Sequence, residues 1–301
     1  MSLLGTVHES DGRTWFTEVE LPHGRRGLKI NIEVAEVLVD ERSEWGLLQV
    51  FDTPFFGRLL AIDGIVQVTE SDEFIYHELM VTLPGVQHGA PSSVLITGGG
   101  DGGALRQALR FGGLASVTQV EIDEAVSRVC RRYLPSVSSG AFEDPRTRLV
   151  WQDAYAFVAE TDQRFDVIVL DLTDPVEGSP AERLFDADFL KLVAGRLTPD
   201  GIVMTQCGSL IFQPDEVRQQ VERLSRVFPH VRLHQAVVPS YQLTSFGFVM
   251  ASAAELDRLD RAEFEARLGG VTGESGYLDY DSYRASMTLP PYLRRQLLGP
   301  A

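Results

Sequence analysis

The pattern of hydrophobic and polar positions changes rhythm about a quarter of the way along the chain. Over the first eighty residues it alternates. Leu28, Ile30, Ile32 and Val34 are interleaved with Lys29, Asn31 and Glu33, the period of two that marks a half-buried strand. Apolar runs at 59–62 and 65–68 flank Asp63-Gly64, a two-residue hairpin signal, and Asp52-Thr53-Pro54 breaks the run between Val50 and Leu59. This stretch predicts a small antiparallel sheet. From about residue 90 short apolar runs begin at Val94, Val117, Leu149, Val167, Ile202, Val231 and Phe246, with amphipathic stretches such as 124–134 and 183–197 between them. That alternation predicts a mostly parallel sheet covered by helices on both faces. Seven strands with the last two close together fit the methyltransferase-like variant of the doubly wound, Rossmann-like α/β fold. The expected division is an N-terminal β domain over 1–80 and a catalytic α/β domain over 81–301.

Composition narrows the function classes. The 301 residues are 44% hydrophobic and 23% charged, as in an ordinary globular protein. With 27 Lys+Arg against 43 Asp+Glu the net charge is −16, which argues against nucleic acid and anionic membrane surfaces as partners and leaves cationic ligands open. Apart from Lys29 and Lys191 the basic residues are all arginine. Cys130 and Cys207 lack metal-ligand spacing and read as buried reduced thiols, so no metal is expected. The opening turns polar directly after Met1 and no run approaches the ~20 apolar residues of a membrane span, so a cytoplasmic location is expected.

The chemistry concentrates in two acidic loops. Residues 94–97 (VLIT) run into Gly98-Gly99-Gly100-Asp101-Gly102-Gly103, after which Ala104 opens a helix. Glycines at such a turn let the backbone approach a ligand, and Glu121, at the end of the next strand, is placed to accept bonds from ribose hydroxyls. Read literally this is a dinucleotide fingerprint. Asp101 argues otherwise, because a carboxylate inside the loop would repel a pyrophosphate and suits a ligand with positive charge at that end. A turn-forming role for Asp101 remains the competing reading. The buried run 167–170 ends in Asp171-Leu172-Thr173-Asp174-Pro175, carboxylates at the carboxyl end of a central strand, where doubly wound folds bind ligands. Asp153-Ala154 ends the preceding strand, either gripping an adenine edge or capping a helix. Tyr76 and His77, in the run 72–78 (DEFIYHE), read either as core residues or as part of a site at the domain junction.

Taken together, residues 60–67 (LAIDGIVQ), 72–78 (DEFIYHE), 98–103 (GGGDGG), Glu121-Ile122-Asp123, Asp153-Ala154, 171–175 (DLTDP), 283–286 (YRAS) and Leu289-Pro290 resemble the polyamine aminopropyltransferase family, that of the spermidine, spermine and thermospermine synthases. The resemblance spans about residues 14–298. It implies transfer of an aminopropyl group from decarboxylated S-adenosylmethionine, a co-substrate rather than a tightly bound cofactor, to a polyamine, in a homodimer or homotetramer. It implies Asp171 as general base, Asp174, Tyr76 and His77 around the acceptor amine, and Tyr241 closing that pocket. It implies Asp101 on the aminopropyl ammonium, Glu121 on the ribose, Asp153 with Ala154 on the adenine, and Gln67, Gly98, Gly100 and Pro180 as further nucleoside contacts. Three features depart from the family pattern. A common glutamine of the first domain is Gly46, with Gln49 a candidate replacement. Residues 174–181 (DPVEGSPA) form a longer, more acidic loop that resembles thermospermine synthases. Residues 238–248 lack the Pro-Ser-Gly stretch of many spermidine synthases. The last two changes favour a longer acceptor such as spermidine over putrescine alone. The rival readings are an S-adenosylmethionine-dependent amine N-methyltransferase on the same scaffold, a non-catalytic polyamine- or nucleoside-binding protein, and, last, a nicotinamide enzyme.

Overall fold

The computed structural model of the chain describes residues 6–19, 27–172, 182–256 and 259–299; Asp174 and Pro180 lie outside them. The N-terminal strands form two antiparallel sheets where one was expected. β1 (Thr6–Ser10), β2 (Arg13–Thr17) and β3 (Asn31–Val34) make the first, and β4 (Glu36–Arg42), β5 (Leu47–Thr53), β6 (Gly57–Ile62) and β7 (Ile65–Thr69) the second. The chain passes from one to the other at Ala35, whose N–H donates to Asp52 O at 2.8 Å. The strand expected from Leu28 starts only at Asn31, and Leu28 stands exposed. The Asp63-Gly64 signal is borne out: φ of 50° and 79° at the two residues are the left-handed values of a primed hairpin turn.

Seven further strands form the second layer: β8 (Ser93–Gly98), β9 (Ser116–Glu121), β10 (Thr147–Trp151), β11 (Phe165–Asp171), β12 (Leu197–Ser209), β13 (His230–Val238) and β14 (Thr244–Ser252). Their order is β10-β9-β8-β11-β12-β14-β13, parallel except for β14, which runs antiparallel to both neighbours. This is the expected methyltransferase-like sheet. Val94, Leu95 and Ile96 in β8 and residues 167–170 in β11 are almost wholly buried, because helices cover both faces. One face carries a core around Leu79, Met80, Phe111, Phe264 and Tyr283, and the other a core around Phe157, Phe189, Leu190, Val217 and Leu293. Among the described residues no helix is long and apolar enough to cross a membrane.

Two features position the site. The chain winds outward from β8 in one direction and resumes at β11 on the other side of β8, so the sheet has its switch point between these two strands, where crevices form at the carboxyl ends. A helical stretch then runs along one face of the sheet, from this end, where Tyr76 meets Asp171, to the other, where His88 lies 3.8 Å from Asp166. It begins as Glu73–His77, passes through a π turn at Glu78–Thr82 and continues as Leu83–His88. Residue 80 falls inside that stretch, which joins the β strands to the α/β sheet without a break. Glu78 anchors it by accepting the N–H groups of Gly276, Tyr277 and Leu278 at 2.8, 3.1 and 2.7 Å.

Candidate active site

Asp171 and the glycine loop meet because β8 and β11 are register neighbours, with Asp171 opposite Gly98. Gly99 N–H donates to Asp171 O at 3.1 Å. A Cβ on Gly98, at φ 80°, would lie 2.0 Å from that same carbonyl oxygen, so only glycine fits there. Gln119 of β9 donates from Nε2 to Gly98 O and Gly99 O at 3.0 and 2.5 Å, and Ser127 Oγ donates to Gly100 O at 2.9 Å. The loop is therefore fixed from two sides.

The two carboxylate oxygens of Asp171 are treated differently. Tyr76 OH donates to Oδ1 at 2.6 Å. Oδ2 is buried and has no hydrogen-bond partner among the described residues, and a Cβ on Gly99 would lie 2.8 Å from it. Burial, then repulsion from Asp101, pushes the Asp171 carboxyl up to about 6, against the opposing pull of His77 and the Tyr76 hydroxyl. Burial and the Asp171 charge hold Tyr76 well above the ordinary phenol value, so it remains a donor.

Asp101 serves both readings made of it. Its Oδ1 accepts Gly103 N–H at 2.7 Å, the turn-forming role, and also faces His77 Nε2 at 3.4 Å. His77 reaches on its other side to Glu73 Oε2, 2.6 Å from Nδ1, and Arg106 Nη2 lies 2.7 and 2.8 Å from the two Glu73 oxygens. Burial opposes charge on His77, but Asp101 and Glu73 on its two nitrogens outweigh it and raise the imidazole to about 10. Burial likewise opposes charge on Asp101, and His77 holds that carboxyl below its ordinary value. Tyr76 and His77 are 6% and 2% exposed, so they are core residues and site residues at once.

Glu121 ends β9 with Oε1 accepting Asp123 N–H at 2.9 Å, and a Cβ on Gly100 would lie 3.0 Å from its other oxygen. Burial raises it to about 7, against the backbone N–H groups of Asp123 and Ile122. Asp153 takes the capping role, accepting Ala156 N–H at 2.9 Å as the N-cap of Ala154–Glu160, and it also pairs with Arg183 at 2.8 Å. Tyr241 OH donates to Gln67 O at 2.5 Å, and its ring stands edge-on to Tyr76 with centroids 5.5 Å apart. Gln67, Tyr241, Tyr76 and Asp171 thus form one wall. Gln49 lies elsewhere: it is buried on β5 and donates to Asp40 Oδ2 at 3.3 Å. A side chain at Gly46 would collide with Asp63, whose Oδ2 would lie 2.8 Å from its Cβ.

Three further residues escaped the sequence reading. Glu73 and Arg106 back His77, and Asp72 accepts the hydroxyl of Thr69 at 2.6 Å and both the N–H and hydroxyl of Ser240, at 2.6 and 3.0 Å. Asp72 thereby ties the loop that carries Tyr241 to the start of the helix that carries Tyr76. Glu73 had a readable signal, since it lies one helical turn before His77 on the same face. Asp72 and Arg106 had none, because their partners are distant in sequence.

Comparison with known proteins agrees with this geometry. Residues 73–260 match the model of the spermine/spermidine synthase domain, and residues 14–70 match that of the spermidine synthase tetramerisation domain. The polyamine aminopropyltransferase of Serratia proteamaculans is 40% identical over 275 residues, covering 91% of this chain and 94% of that protein. The one from Sodalis glossinidius is 41% identical over 251 residues, covering 83% of this chain and 87% of that protein. A solved spermidine synthase in complex with the transition-state analogue AdoDATO superposes with a TM-score of 0.87 at 28% identity, covering 99% of this chain and 97% of that one. The spermidine synthase of Thermotoga maritima superposes with a TM-score of 0.85, at the same identity and coverage. With its sheet order, its glycine loop against Asp171 and these relatives, the chain belongs to the spermine/spermidine synthase family.

Proposed function

We propose that this cleft transfers the aminopropyl group of decarboxylated S-adenosylmethionine to an amine of a polyamine, releasing 5′-methylthioadenosine. The observation that carries the proposal is Asp171: one oxygen is fixed by Tyr76 and the other, beside the glycine loop, is buried with no partner among the described residues. The sulfonium is already a good electrophile, so the work lies in preparing the nucleophile. An alkylammonium has a pKa of ~10 and cannot attack until it loses a proton. Raising Asp171 from 3.8 to about 6 narrows that mismatch by about two units, roughly a hundredfold in the proton-transfer equilibrium. The freed amine nitrogen attacks the carbon next to sulfur and the C–S electron pair passes to sulfur as the neutral thioether leaves. The amine proton goes to Asp171 Oδ2. Alignment of nitrogen, carbon and sulfur supplies much of the remaining acceleration.

The other residues take roles that their positions support where these are described; for Asp174 and Pro180 the resemblance alone supplies the role. Asp101 Oδ1 is committed to Gly103 and His77, which leaves Oδ2 for the aminopropyl ammonium. Tyr76, His77, Tyr241 and Asp174 surround the acceptor. Glu121 takes the ribose, Asp153 and Ala154 the adenine, and Gln67, Gly98, Gly100 and Pro180 the rest of the nucleoside. The acceptor is putrescine, giving spermidine, or spermidine, giving thermospermine or spermine, and the acidic run 174–181 supports the longer amine. The match of residues 14–70 to a tetramerisation domain supports a homodimer or homotetramer. Two buried cysteines suit the cytoplasm. Calorimetric titration tests the donor: decarboxylated S-adenosylmethionine binds more tightly than the intact molecule. Tighter binding of the carboxylated form would instead favour N-methyl transfer.

A further inference from the structure

The Glu73–His77–Asp101 row needs explaining, since it places a carboxylate at each of the two nitrogens of one buried ring. Neutral imidazole has a single N–H and would turn a lone pair toward one of those carboxylates. Only imidazolium donates on both sides. The ring has little freedom to choose another arrangement. A Cβ on Gly103 would lie 2.2 Å from His77 Cε1, so the imidazole is pressed against backbone that only glycine leaves open. Glu73, 8% exposed, is held in turn by Arg106 through both oxygens.

We propose that Glu73, backed by Arg106, is a positioning residue that keeps His77 as an imidazolium aimed at Asp101, making His77 the standing counter-charge of the acceptor site. The proposal rests on the aminopropyl-transfer reading only for its consequence, not for its geometry. The charged groups facing His77 are Glu73 on its own helix, Asp101 on the glycine loop and Asp171 at the end of β11. The phenol of Tyr76 stands beside it, and Arg106 reaches in through Glu73. With His77 and Arg106 both charged, Glu73, Asp101 and Asp171 together carry about one net negative charge rather than three. An incoming ammonium then meets its base rather than an array of three competing acids. Support comes from the same direction in His77 itself, which the two carboxylates raise to about 10 despite burial.

The test reads His77 directly. In the full-length protein labelled with 15N-histidine, and with His77 assigned by difference from His77→Gln, both ring nitrogens stay protonated from pH 6 to 9. In Glu73→Gln, which preserves shape but removes the charge, one nitrogen deprotonates by pH 8. The acid limb of kcat/KM for the amine moves up by about one pH unit in that variant, and its value at pH 6 falls roughly fivefold. Affinity for methylthioadenosine, which carries no ammonium, stays as in the wild type. Wild-type His77 titrating near 6.5, or an unchanged His77 in Glu73→Gln, overturns the proposal. Should Glu73→Gln not fold, the wild-type titration still decides the charge. Glu73→Asp, which keeps the charge but draws it back from the ring, then lowers the His77 pKa; an unmoved value would overturn the role given to Glu73. A His77 charged as described in a protein that forms no polyamine product would refute the proposed function while leaving this inference standing.

Discussion

At the scale of single residues, burial and repulsion from Asp101 leave Asp171 with a carboxyl near 6, and the Tyr76 bond to Oδ1 leaves Oδ2 as its open oxygen among the described residues. The same burial sets its stability effect. A carboxyl raised in the fold favours the folded state below its unfolded value of 3.8, and this contribution is lost as pH rises through about 6. At pH 8 the ionised group therefore costs about 3 kcal/mol. Asp171→Asn should lower kcat by about 10³-fold or more while methylthioadenosine binds as before. It should also raise the melting temperature at pH 8 by roughly 5 °C, a gain that shrinks toward pH 5. Wild-type turnover in the variant would refute the base assignment. Glu121 gives a second pH signature. Burial raises it to about 7, so below that pH it holds a proton and accepts ribose hydroxyls less well. Calorimetry from pH 5.5 to 8.5 should show methylthioadenosine affinity falling up to about tenfold per unit below 7; a flat profile would rule out an ionised Glu121 as the ribose ligand.

At the scale of elements, what the sequence discloses depends on whether the signal is local. The β6–β7 hairpin is legible because Asp63-Gly64 can adopt φ of 50° and 79° in sequence between two alternating runs. The seven sheet strands are legible because burial on both faces demands unbroken apolar runs such as 94–96 and 167–170. The split of the N-terminal strands into two sheets is not, since alternation is the same on either side of Ala35 and only long-range pairing separates them. The same holds within the site. Asp171, Asp101, Glu121 and Tyr76 sit in motifs; Asp72 sits in one too, but its partner Ser240 lies 168 residues away, so its role is not legible. That contact predicts that Asp72→Ala, by loosening the loop that carries Tyr241, raises KM for the amine roughly tenfold. Methylthioadenosine affinity should change much less. Equal losses for both ligands would show that Asp72 supports the whole fold rather than the acceptor wall.

At the scale of the whole molecule, the candidate site is assembled from both parts of the chain. β7 supplies Gln67, the junction helix Tyr76 and His77, and the α/β sheet Asp101 and Asp171. Charge ties its integrity to pH. His77, raised to about 10, contributes stability that is full below 6.5 and lost as pH rises through 10. Denaturation at a series of pH values should therefore show the wild type losing stability between pH 7 and 10, with His77→Gln lacking that part of the decline. The net charge of −16 is mostly solvated surface, and the acids that matter are the few that converge on the crevice, where two cationic substrates must approach each other. Purified protein incubated with decarboxylated S-adenosylmethionine and a panel of polyamines, with the products separated, tests this most directly. Methylthioadenosine should appear in equal amount with a polyamine lengthened by one aminopropyl group, from putrescine or spermidine. No methylthioadenosine with any amine of the panel would contradict the account.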